Sequence, residues 1–243
     1  MIDLHCHILP GVDDGSPDFE TSCEMAKMAA DSNVTAIVAT PHCNNPGGPH
    51  NYRNNTLLEK FAALDRLLQY YNIPVRILPG AEVLVRDNFL RLLREDRLVT
   101  LNNSRYLLVE FFFNAHAAYI CDALAQIRRA GLIPVVAHPE RYDAVQQEPM
   151  LAAQWFHSGY ILQLNKGSLL GRLGRGAYQT SVWLLNHGLG HVVASDAHSA
   201  SVRTTNMDML IDFLQERYPA DYIHLLLKEN PSRIIHDQPI PIP

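Results

Sequence analysis

The sequence predicts an α/β fold, a parallel barrel of the TIM type, on three observations. Seven short apolar runs recur along 243 residues, each closes on a residue able to hold a divalent metal, and the stretches between them have helical periodicity. A parallel barrel brings the C-terminal ends of its strands to one face, so ligands scattered along the chain converge there. The pattern reads as a metallohydrolase.

In order, the runs are Ile2 to His7 with Asp14 just beyond, Ala36 to His42, Ile77 to Glu82, Tyr106 to Glu110, Ile133 to His138, Tyr160 to Asn165 and His191 to His198. Only the sixth ends without His, Asp or Glu. Helices are expected at Asp18 to Ser32, Leu57 to Tyr71, Asn88 to Arg94, Ala117 to Ala130, Pro149 to His157, Arg175 to His187 and Thr205 to Tyr218. Gly131, Gly159 and Gly188 follow three of these as C-caps do. Cys43 to Asn54, rich in Asn, Gly and Pro, predicts a mobile loop at the ligand end. Four glycines between Lys166 and Gly176 predict a flexible connection. One domain is expected over residues 1–243, with 236–243 an extended tail whose alternating prolines cannot join a helix or central strand.

Composition narrows the function. Apolar content of 47% with 19% charged residues is ordinary for a globular enzyme, and a formal charge of −5 supplies no basic patch for nucleic acid. Met1 to His5 enter an apolar strand without an export signal, and no run approaches the roughly 18 apolar residues of a membrane span. A cytoplasmic location is expected. The four cysteines form no CxxC pair, and a reducing cytosol gives little reason for disulfides.

His5 and His7, two apart at a strand end, point to one face and can share an ion. Asp13 and Asp14 follow in a turn, and spacing alone does not say which is a ligand. Pro41 holds the chain extended where His42 leaves its strand. Glu82 and Glu110 end apolar strands, where an unpaired carboxylate is expensive to bury. Facing cations removes that cost, and carboxylates can bridge two metals; a buried salt bridge to Arg105 or Arg141 is the alternative. His138 closes the fifth run, and Asp196 with His198 repeats the two-residue spacing of the first pair.

These segments resemble a known family. Met1-Ile2-Asp3-Leu4-His5-Cys6-His7-Ile8-Leu9-Pro10 with Asp13-Asp14-Gly15, Ala39-Thr40-Pro41-His42, Leu78-Pro79-Gly80-Ala81-Glu82, Ala137-His138-Pro139-Glu140-Arg141 and Ala194-Ser195-Asp196-Ala197-His198 are similar to the PHP (polymerase and histidinol phosphatase) superfamily. Within it they resemble the bacterial manganese-dependent protein-tyrosine phosphatases of capsule and exopolysaccharide loci. The resemblance implies a distorted seven-stranded (β/α) barrel with a trinuclear centre of Mn2+, Fe, Zn, Co or Mg being other candidates. It implies His5, His7, Asp14, His42, Glu82, Glu110, His138, Asp196 and His198 as metal ligands, and Arg141 and Arg203 as phosphate-binding arginines. It departs at Phe111-Phe112-Phe113-Asn114, which lacks the family's proline and acidic residue and bears on substrate preference, and in detail at Leu164-Asn165-Lys166.

No cysteine has an arginine six positions later, so a thiolate phosphatase loop is absent; Cys121 and Arg128 are seven apart. Cys6 is expected to face the core. The expected nucleophile is a metal-activated hydroxide attacking phosphotyrosine. The implied partner is a tyrosine-phosphorylated protein, the tail of an autophosphorylating kinase that drives polysaccharide export. Two alternatives stay open: another phosphoesterase of the superfamily, such as a histidinol-phosphate phosphatase, and a non-catalytic metal-stabilised module that binds a phosphoprotein.

Overall fold

The computed structural model describes residues 1–48 and 50–241. All seven apolar runs form parallel strands, but as nine segments in two hydrogen-bonded sheets. One sheet has the order β1 (Ile2–Cys6), β2 (Ala36–Ala39), β4 (Arg76–Pro79). The other runs β3 (His42–Cys43), β5 (Glu82–Leu84), β6 (Tyr106–Glu110), β7 (Ile133–Ala137), β8 (Ile161–Asn165), β9 (Val192–Ala194). The ladders therefore form nine strands rather than a single closed set of seven.

Two interruptions account for the extra segments. The second run breaks at Thr40-Pro41, where proline has no N–H to give the ladder. The third run breaks at Gly80-Ala81, where the chain lies so close to its neighbour that a Cβ on Gly80 would stand 2.7 Å from Val38 Cγ1. The first run is irregular too: the β1–β2 register shifts between Asp3 and Cys6. Leu4 consequently packs in the inner apolar cluster, with Val38, Leu108 and Val135, while Cys6 joins the outer one beneath the helices.

Helices form where expected, with ends moved by at most three residues. α1 (Phe19–Asp31) starts at Asp18, whose side chain accepts from Thr21 N at 2.8 Å, a cap contributing about 1 kcal/mol. Asn54 caps α2 (Asn55–Tyr70) in the same way. Phe89–Arg94 (α3), Ala117–Arg129 (α4), Met150–His157 (α6), Arg175–Asn186 (α8) and Asp208–Gln215 (α9) match the remaining predictions. Between them lie α5 (Asp143–Gln147) and α7 (Lys166–Leu169), neither expected. The latter corrects the reading of 166–176 as a wholly flexible connection: Lys166 is buried, its ammonium donating to Thr204 O and to Asn206 O.

Between residue 219 and the tail expected at 236–243, where no helix was foreseen, the chain forms α10 (Ala220–His224), a π-turn (Leu225–Glu229) and α11 (Asn230–Ile235). Pro231 sits in the first turn of α11, where its missing N–H costs nothing. Ile234 and Ile235 close the inner cluster from below. The extended tail then runs along the strand bases, Gln238 O accepting from Tyr106 Oη at 2.7 Å; Ile242 and Pro243 lie outside the described residues. Among the described residues no helix is long and apolar enough to cross a membrane.

Candidate metal centre

Hydrogen bonds between strand ends bring the first and last runs together. His7 N donates to Ala197 O and Asp196 N to His5 O, each at 2.8 Å, so Ser195 to His198 is zipped onto the end of β1. Asp3 locks the junction: one carboxylate oxygen takes Ser195 N at 3.0 Å and the other takes its hydroxyl. Two candidate ligands leave their strands with left-handed backbone, His138 at φ 34° and Asp196 at φ 48°. Such conformations are costly for non-glycine residues and persist where surrounding bonds dictate them.

Eight of the nine expected ligands fall into three overlapping groups that could each hold an ion: His5, His7 and Asp196; His42, Glu82 and Glu110; and His7, Asp14, His42 and His198. The ninth, His138, stands beside them with Nε2 2.8 Å from Glu82 Oε1. Glu82 and Glu110 face histidines. Arg105 pairs with Asp237 and Arg141 with Asp196, so the salt-bridge alternative for these glutamates is not what the structure contains.

The donor set fits divalent cations. Nε2 of His5 and Nε2 of His7 are 3.2 Å apart, and both lie within 3.5 Å of Asp196 Oδ1. Imidazole nitrogens sharing one ion at about 2.1 Å stand roughly this far apart. Nδ1 of His42 is buried between the carboxylates of Glu82 and Glu110, at 3.1 and 3.2 Å.

Electrostatics points the same way. Burial pushes the imidazoles of His5 and His7 down, but the carboxylates override it, Glu82 foremost for His5 and Asp13 foremost for His7, and both end above their ordinary value. His42 is likewise opposed by burial, yet bonds to Glu110 and Glu82 raise it to about 10. Glu110 is pushed up by burial and by the charge of Glu82. His198 goes the other way, lowered to about 3 by burial and by the charge of His7. The cluster thus favours positive charge at His5, His7 and His42.

The structure also separates Asp13 from Asp14. Asp13 is buried and orients His7, its Oδ2 accepting from His7 Nδ1 at 2.8 Å and from His42 N at 2.9 Å. Asp14 is exposed, with Oδ1 3.5 Å from His42 Nε2 and 3.6 Å from His198 Nε2. Gly15 has no room for a side chain, since a Cβ there would meet His7 O at 2.1 Å. Arg141 and Arg203 converge on one atom: Arg141 Nη1 is 3.8 Å from Asp196 Oδ2, which also takes Arg203 Nη2. Arg141 lies over Phe113, 4.3 Å from its ring centre. Cys6 is fully buried and burial pushes its thiol well up, as a core residue requires.

Three further residues support the site; Gln163 and Asp3 were not foreseen, and Asn165 was expected only as the end of the sixth run. Gln163 Oε1 stands 2.8 Å from His5 Nδ1, Asn165 Nδ2 donates to Asp196, and Asp3 anchors Ser195. Alternation marks two of them in the sequence. Ile161, Gln163 and Asn165 share one face of β8, and polar residues on an otherwise apolar strand need partners.

Residues 1–236 match the family described as Capsular polysaccharide synthesis, CpsB/CapC. The chain belongs to this family. It is 34% identical to the tyrosine-protein phosphatase YwqE of Bacillus subtilis over 99% of this chain and 93% of the relative. With the tyrosine-protein phosphatase CpsB of Streptococcus pneumoniae it shares 31% identity over 98% and 99%. A solved structure from the pair YwqE of B. subtilis and CpsB of S. pneumoniae, described as unique metal-dependent tyrosine phosphatases, superposes at a TM-score of 0.90. The identity there is 33%, covering 99% of this chain and 96% of that one. The phosphotriesterase of Mycobacterium tuberculosis, at 12% identity, TM-score 0.60 and coverage of 98% and 94%, shares the fold alone.

Proposed function

We propose that this CpsB/CapC-family chain is a metal-dependent tyrosine-protein phosphatase that removes phosphate from a bacterial tyrosine kinase controlling capsular or exopolysaccharide synthesis. The observation that carries this reading is the meeting of His5, His7, His42, Glu82, Glu110, Asp196 and His198, drawn from five separate strand ends, in one largely buried cluster. His5, His7, Asp14, His42, Glu82, Glu110, His138, Asp196 and His198 would hold a trinuclear manganese centre. The reading also treats the seven runs as one distorted barrel, supported by the isolated bridge Cys6–Ala197 that joins the first strand to the last run.

Bound divalent cations would supply the positive charge that acidifies water and neutralises a phosphoryl group. The chain's own residues do the rest. Asp13 and Gln163 fix the rings of His7 and His5 through Nδ1, which leaves each Nε2 turned to the cluster. Arg141 and Arg203 present guanidinium N–H groups beside Asp196, placed to grip the oxygens of a phosphate monoester in paired hydrogen bonds. Phe113 supports the Arg141 guanidinium from beneath. No thiol takes part.

Phosphate release from p-nitrophenyl phosphate, a phosphotyrosine peptide and histidinol phosphate, after chelation and re-addition of single metals, tests the reading. Turnover of the phosphotyrosine peptide restored best by Mn2+ is expected. Preference for histidinol phosphate would assign another phosphoesterase of the superfamily, and no turnover at all a binding module.

A further inference from the structure

The departure at Phe111-Phe112-Phe113-Asn114 forms one wall of a cavity that the metal centre does not use. The cavity measures about 580 Å³ and lies between the segments that continue β5 and β6 past their ends. Val85 is its floor, and Val85 N donates to Glu110 O at 3.0 Å, so the floor continues the ladder that carries Glu110. Arg86, Asp87 and Asn88 line it from the β5 side, and Phe112, Asn114, His116 and Tyr119 from the β6 side.

The wall is built, not loose. Phe111 N donates to the buried Tyr142 hydroxyl, Phe113 O accepts from Asp143 N at 2.8 Å, and Phe112 O accepts from Ala115 N at 2.8 Å. Tyr119 is fixed by its hydroxyl donating to Val85 O at 3.2 Å. Phe112 nevertheless exposes 51% of its surface and Tyr119 41%. Arg86 donates to Asn44 O at 3.3 Å and, among the described residues, makes no ion pair. Exposed apolar rings on a fixed backbone, an exposed amide and a guanidinium without an ion pair, beside the carboxylate of Asp87, together describe a surface for a polypeptide segment.

We infer that this groove holds the chain flanking the phosphotyrosine, with an apolar side chain against Phe112 and Tyr119 and an acidic one at Arg86. The inference rests on the phosphatase reading above and adds the substrate feature that reading leaves open. Continuity fixes the occupant. Phe113, which supports Arg141, is the chain neighbour of Phe112, so the groove adjoins the arginine that would grip the phosphate.

Phe112→Ala and Arg86→Ala, each loaded with Mn2+, test it through the ratio of kcat/KM for an acidic-flanked phosphotyrosine peptide to kcat/KM for p-nitrophenyl phosphate. Phe112→Ala should lower the ratio about tenfold, about 1.4 kcal/mol, chiefly through peptide KM. Arg86→Ala should lower it for the acidic peptide and not for the same peptide with neutral flanks. A ratio equal to the parent's in both variants, or an equal loss on both substrates, overturns the groove. A parent protein that hydrolyses p-nitrophenyl phosphate but no phosphotyrosine peptide overturns the phosphatase reading instead.

Discussion

The two ends of the strands bury histidines by opposite means. At the base, His191 stacks on Phe156 and accepts a hydrogen bond from Leu162 N at 3.1 Å, with Nε2 unpartnered. Burial alone lowers it to about 4, so it stays neutral. At the mouth, His5 and His7 are as deeply buried, yet Glu82, Asp196 and Asp13 hold them above their ordinary value. One end solves burial by giving up charge. The other concentrates charge, which is sensible only where a cation is to be received.

Breaking the mouth should have the largest effect. Replacing His5 and His7 together with Ala removes donors from two of the three groups, and phosphatase turnover should fall by at least about 10³-fold with loss of bound metal. Metal content, circular dichroism and phosphate release measured on one sample check this. Arg141→Ala with Arg203→Ala leaves the ligands in place and should cost roughly 10²–10³-fold in kcat/KM. Lysine at either position should restore only part of that loss, because a point charge cannot grip two oxygens in a plane. Gly15→Ala should destabilise by about 1–3 kcal/mol and weaken metal binding, as the new methyl collides with the carbonyl of His7; thermal melts with and without metal measure both.

The base gives the smaller effects. His191 has a folded pKa of about 4 against 6.5 unfolded, so the unfolded chain binds the extra proton between those values. Its contribution is complete above pH 6.5 and is lost as pH falls toward 4, about 3 kcal/mol in all. Urea titrations at pH 7 and pH 4.5 should show a smaller acid loss in His191→Gln than in the parent, whereas an identical loss would place the acid sensitivity elsewhere. Cys6→Ser should retain most turnover; abolition of activity in a folded, metal-loaded variant would return the thiol to the mechanism.

The same contrast explains what the sequence could convey. The mouth was legible because its ligands close apolar runs, where nothing but a partner justifies them: Glu82, Glu110, His138 and Asp196 stand out by position alone. The assignment of Asp13 and Asp14 was not legible, since it depends on which carboxylate the Gly15 turn folds inward. Helices were readable from periodicity where an apolar stripe was long, as in α1 and α2. The closing helices after residue 219 were obscured by Pro231 and by a π-turn that breaks the 3.6-residue period. Strand count misled for a local reason: Pro41 and the close approach at Gly80 each cut one run in two.

Metal-replete protein, analysed for its elemental content and assayed on a phosphotyrosine peptide before and after chelation, addresses the central claim most directly. Divalent metal bound in stoichiometric amounts, turnover abolished by its removal and recovered when a single metal is returned, is the predicted result. Undiminished hydrolysis by protein shown to be free of metal would contradict it.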